Sequence, residues 1–131
     1  MNQRLTSSSY TCGIIVESIG DPNTLEAIRA WLVHERIDEM PIEEEPVWHI
    51  REYRGPANQL ERTIQMLESS IKPGWYIHLF NTAGQVLYVV LHGKSFRLPL
   101  QRDERWEPMI AYALTVGVDR KWTENIPVDR V

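Results

Sequence analysis

The sequence predicts an α+β fold: a mostly antiparallel sheet of about five strands, with three helices mainly on one face, in the order β-α-β-α-β-β-β-α. Three observations carry that prediction. Residues 75–80 and 85–91 are apolar, aromatic and β-branched runs on either side of Asn81-Thr82-Ala83-Gly84, the composition of a β-hairpin. A second turn, His92-Gly93-Lys94, leads into a third strand at Ser95-Phe96-Arg97-Leu98. Leu60, Ile64, Leu67 and Ile71 recur at helical spacing, with Glu61, Arg62, Gln65 and Glu68 on the other side. A meander next to an amphipathic helix is the layered arrangement of α+β domains.

The remaining elements follow in chain order. Residues 1–9 are a polar lead-in, expected to be disordered, without the apolar stretch of a secretion signal. Residues 10–17 are a strand candidate closed by Gly20-Asp21-Pro22. Asp21 suits an N-cap, Pro22 a first helical position, and Leu25, Ile28, Trp31 and Leu32 extend the helical spacing toward Glu35 or Arg36. Residues 37–46 hold two prolines and five acidic residues, so a solvated loop is expected there. Val47 to Tyr53 alternates as a half-buried strand ended by Gly55-Pro56. A last helix starts at or after Asp103, with Pro108 in its first turn, and ends at Gly117. Residues 119–131 form an irregular tail that Trp122 could anchor.

Composition limits the function classes. With 131 residues the chain has the size of one domain, 1–131, and its longest apolar run is too short to span a bilayer. A net charge of −4 argues against nucleic acid as a partner, since phosphate binding needs a basic surface. The lone cysteine, Cys12, excludes an intrachain disulfide and fits a cytoplasmic protein.

Strand parity points to a candidate surface. With even-length turns, Tyr76, His78 and Phe80 share a face with Leu87, Val89, Leu91, Phe96 and Leu98, an apolar set expected to lie under helices. The opposite face carries Trp75, Ile77, Tyr88, Val90 and His92, and on the third strand Arg97. A semi-exposed aromatic face of that kind is expected to meet a partner.

The segment from Lys72 to Asn81 with its Gly-Trp-Tyr-x-His core, followed by Gly93 to Leu98 and then Trp106 to Val118, resembles a family of small uncharacterised bacterial and archaeal proteins. The resemblance implies a compact α+β domain and names no substrate.

His78 and His49 are the candidate general bases, with Arg97 as an anion clamp, if the chain is a small enzyme. Parity instead makes His78 a buried structural group. Two histidines leave a metal site incomplete, so neither metal nor cofactor is expected. Cys12 lies in an apolar strand and reads as structural. Glu43-Glu44-Glu45 lacks the ligand spacing of a calcium loop and reads as solvated, or as the contact of a small regulator. The leading expectation is a non-catalytic binding or protein-interaction module, a homo-oligomer or the holder of a protein partner, with a small-molecule ligand also open. Its binding residues would be Trp75, Ile77, Tyr88, Val90, His92 and Arg97.

Overall fold

The computed structural model describes residues 9–131. The strands are β1 (Ser9–Ile15), β2 (Leu32–Glu39), β3 (Val47–Pro56), β4 (Ile77–Asn81), β5 (Val86–Leu91) and β6 (Lys94–Pro99). The helices are α1 (Pro22–Ala27), α2 (Leu60–Ser70), α3 (Glu107–Thr115) and α4 (Arg120–Thr123), joined by short 3₁₀ turns. The sheet has six strands rather than about five, in the order β2-β3-β1-β4-β5-β6, and every neighbouring pair is antiparallel. Residues 1–8 of the expected lead-in lie outside the described residues, and Ser9 already opens β1.

The additional strand is β2. Asp21 caps α1 by accepting from the Asn23 amide at 3.0 Å, with Pro22 at the first helical position. The helix nevertheless stops at Ala27, and one 3₁₀ turn hands the chain to β2. The expected helical spacing thus ends two turns early. From Leu32 onward the backbone finds partners in β3, with a register irregularity between Leu32 and His34. Part of the acidic segment is therefore strand, and only residues 40–46 form the loop of a β2–β3 hairpin.

Helices cover both faces of the sheet, which replaces the expected covering of mainly one. On one face Tyr10, Cys12, Ile14, Tyr53, Ile77, Leu79 and Val90 pack with Ile28 and with Leu67 of α2. On the other, Phe80, Leu87, Val89, Leu91 and Leu98 pack with Trp106, with Met109, Ile110 and Ala113 of α3, and with Val118 and Ile126. Alternation along β4 sends Ile77 and Leu79 to the first cluster and Phe80 to the second. The tail from Asp119 is not irregular throughout: α4 forms there, capped by Asp119, and Ile126 is fully buried. Val131 lies against Gly13 of β1, where an added Cβ would sit 2.9 Å from Val131 Cγ1 and 2.7 Å from the His78 ring. A side chain at position 13 would therefore push both away.

The α3 C-terminus closes as expected. Gly117 has φ +88°, the Val118 amide donates to Ala113 O at 2.9 Å, and the Gly117 amide donates to Leu114 O at 3.3 Å, a Schellman arrangement. Pro108 sits in the first turn of α3, which begins at Glu107 after a 3₁₀ turn started by Asp103.

Coverage is uneven. Four of the five residues of β4 and four of the six of β5 are buried, whereas every residue of β2 is at least partly exposed. Four of the five exposed large apolar residues among the described residues, Val33, Ile37, Ile42 and Val47, fall between the start of β2 and the start of β3.

Candidate functional site

Because β1 runs antiparallel to both β3 and β4, the end of β1 lies beside the start of each. A cleft of about 550 Å³ opens at that end of the sheet. Glu17 follows β1, Trp48 is the second residue of β3, Trp75 precedes β4, and Trp122 reaches in from α4. Residues 43–45 of the hairpin loop form its acidic wall.

Two glycines hold the far wall together. Gly74 (φ +92°) and Gly117 (φ +88°) both need the left-handed region that L side chains avoid, and the Gly74 amide donates to Val116 O at 2.8 Å. That contact ties the segment bearing Trp75 to the turn leading to Trp122. The Trp48 ring centroid then lies 5.4 Å from that of Trp75 at 64° and 5.7 Å from that of Trp122 at 52°. The rings therefore meet as the walls of a corner, not as a parallel slot. Trp106 donates its indole N–H to Pro99 O at 3.0 Å, but the sealed Trp48 Nε1 has no partner among the described residues.

The electrostatics of the cleft are mainly negative. Glu17, Glu43, Glu44, Glu45 and Asp119 line it, against Lys72 and Lys121. Burial alone would raise the Glu17 carboxyl, but it accepts the His49 amide at 2.8 Å and contacts His49 Nδ1 at 2.6 Å, and these bonds hold it below the ordinary carboxylate range. Lys121 Nζ sits 5.3 Å from the centre of the Trp122 ring, so one indole face already holds an ammonium. Burial pushes the Tyr76 phenol, also on the cleft wall, up to about 12.

The expected binding residues are dispersed. Trp75 lines the cleft. Ile77 and Val90 are fully buried in the cluster that Leu67 of α2 covers, so the open aromatic face expected for them is not open. The correction has a simple cause: strands apolar at successive positions are buried on both faces, and α2 supplies the second cover. Tyr88 is half-buried and accepts from Arg97 Nε at 3.3 Å. His92 is exposed beside the β5–β6 turn, its Nδ1–H donating to Ile71 O at 3.0 Å.

The candidate catalytic groups do not converge either. His78 is buried, stacked on Phe80 at 5.8 Å, and donates from Nε2 to Arg130 O at 3.1 Å; burial lowers its pKa, so the ring is held neutral. It does not line the cleft. His49 is engaged by Glu17, and Arg97 on β6 is four strand spacings from β3, on the order of 19 Å away. His78 and Arg97 lie on opposite faces of the sheet, since they pair with Val89 and Tyr88, neighbours on β5. Cys12 is fully buried, and burial pushes its thiol far above the ordinary range. Among the described residues no group of three His, Cys, Asp or Glu side chains is placed to hold a metal ion, and no helix is long and apolar enough to cross a membrane.

Sequence reasoning missed Trp48 and Trp122 as partners of Trp75. Their grouping depends on β1 passing between β3 and β4, which no local spacing reveals. The available signal was the tryptophan count, five in 131 residues. Comparison of the chain with family models, curated proteins and solved structures returns no match.

Proposed function

We propose that the protein is a non-catalytic interaction module that pairs with a second copy of itself through the edge strand β2. The observation that supports this reading is the concentration of exposed apolar side chains, Val33, Ile37, Ile42 and Val47, around that one edge. The other edge, β6, is blunted: it begins with Lys94 and ends with Pro99, both of which disfavour added strands. No proline or lysine interrupts Leu32–Glu39.

Charge complementarity favours one register. With Ile37 opposite Ile37 of the second copy in an antiparallel pairing, Arg36, which donates to Asp38 of its own chain at 3.3 Å, also faces Asp38 of that copy, so the two pairs merge into one four-charge cluster. Glu35 would face Glu39, but Arg51 already neutralises Glu35 at 2.7 Å. Such a pairing continues the sheet from β6 of one copy to β6 of the other and leaves the blunted edges outside. A cytoplasmic setting suits a chain whose lone cysteine is fully buried.

Sedimentation velocity across a wide concentration range tests the proposal. The expected result is a concentration-dependent dimer that Ile37→Lys abolishes and Arg97→Ala leaves intact. A monomer at every concentration, or a dimer indifferent to Ile37→Lys and to Arg36→Asp, would contradict it.

A further inference from the structure

We propose that the cleft at the sheet end is a binding site for a small organic cation with an alkylated ammonium head. Its geometry selects that chemistry. Trp48 meets Trp75 edge-to-face and Trp122 at 52°, so the three indoles touch one another and form an apolar corner against which a rounded head group can rest; a planar guanidinium would prefer parallel faces on which to stack. A quaternary ammonium has no N–H to satisfy, so ring faces suffice as its first contacts. The carboxylates of Glu43, Glu44 and Glu45 along the rim supply the long-range attraction.

One cation of the chain itself already lies against this wall. Lys121 Nζ lies 5.3 Å from the Trp122 ring centre, within the range of a cation–π contact. Lys121 is thus an internal competitor on the rim, able to swing away because it is exposed. The volume, about 550 Å³, is that of a small-molecule site and exceeds what a tetramethylammonium-sized head alone would fill. We assign a free small molecule as the source of the cation, one small enough to lie wholly within that volume. The site lies at the end of the strands and does not depend on pairing through β2.

Isothermal titration calorimetry at low salt, with choline as the probe, tests the assignment. A neutral isostere with carbon in place of the charged nitrogen serves as the control. Choline is expected to bind saturably, with the isostere weaker by about tenfold or more, because only the charged head gains from the rings and the rim. Trp75→Ala should abolish the heat of binding. The loop variant Glu43→Gln/Glu44→Gln/Glu45→Gln, which leaves the core untouched, should weaken choline about threefold or more at low salt and by less at high salt. Lys121→Ala should tighten it. Absence of saturable binding, equal binding of the isostere, or an unchanged affinity in the loop variant would overturn the proposal. A peptide bearing trimethyllysine that bound more than about tenfold tighter than choline would overturn the assignment to a free small molecule, since the extra contacts would then lie outside the cleft.

Discussion

β5 and β2 belong to one sheet and are of similar length, yet they are built on opposite terms. β5, Val-Leu-Tyr-Val-Val-Leu, has α2 above it and α3 below, and four of its six residues are buried. β2, Leu-Val-His-Glu-Arg-Ile-Asp-Glu, hydrogen-bonds on one side only and buries none of its residues. The difference divides the labour of the molecule. Apolar area removed from water holds the β4–β6 half together, while in the β2–β3 half only β3 reaches the core, through Ile50 and Tyr53, and β2 is carried as an attachment whose backbone edge and side chains stay available. The cleft lies between the two, at the end of β1.

The largest effect that would sharpen this contrast is a paired truncation. Leu87→Ala, at a fully buried position, is expected to cost about 3 to 4 kcal/mol in urea unfolding, while Ile37→Ala should stay within about 0.5 kcal/mol. Comparable losses at the two sites would break the comparison. A second effect is pH dependence in the closed half. Burial lowers the pKa of folded His78, so the unfolded chain binds this proton more readily. Its contribution is then fully present above about pH 6.5 and is lost as the pH falls through the lower folded-state value. Stability measured from pH 7.5 to pH 5 should decline, and His78→Gln should flatten that decline.

Smaller changes are expected at the cleft. Gly117→Ala imposes a side chain at φ +88° and should cost about 1 to 2 kcal/mol through backbone strain, since its Cβ would meet Gly74 only at an ordinary 3.6 Å; relaxation of that turn should be visible as a shift in tryptophan emission. Glu17→Gln loosens the tie to His49 at a partly exposed site and should cost less than about 1 kcal/mol, visible as a small drop in the thermal midpoint. An effect at Glu17 larger than that at Gly117 would mean that the β3 side, rather than the paired glycines, holds the cleft open.

Much of the closed half was legible in the sequence, and in the open half β3 was legible from its alternation between Val47 and Tyr53 while β2 was not. The hairpin from Trp75 to Leu91, the third strand, the helix stripe Leu60 to Leu67 and the glycine end of α3 all follow from local spacing, and each is present. β2 was hidden because an edge strand exposed on both faces needs no apolar alternation, so Val33 to Glu39 carries only a weak β signal after a convincing helix start at Asp21-Pro22. The covering of Ile77 and Val90 had a signal that parity alone undervalued. A strand such as β5, apolar at nearly every position, has no water-facing side to assign, and two helices in the chain were available to cover it. The cleft needed the strand order itself, because Trp48 and Trp75 become neighbours only when β1 separates their strands.

Amide hydrogen exchange at two protein concentrations, far below and far above the dimer midpoint, tests the division most directly. The account predicts strong protection of β4 and β5 at both concentrations, with weak protection of β2 that rises at the higher one as its outer amides find partners. Protection of β2 that is independent of concentration, or as strong as that of β5 in the dilute sample, would contradict it.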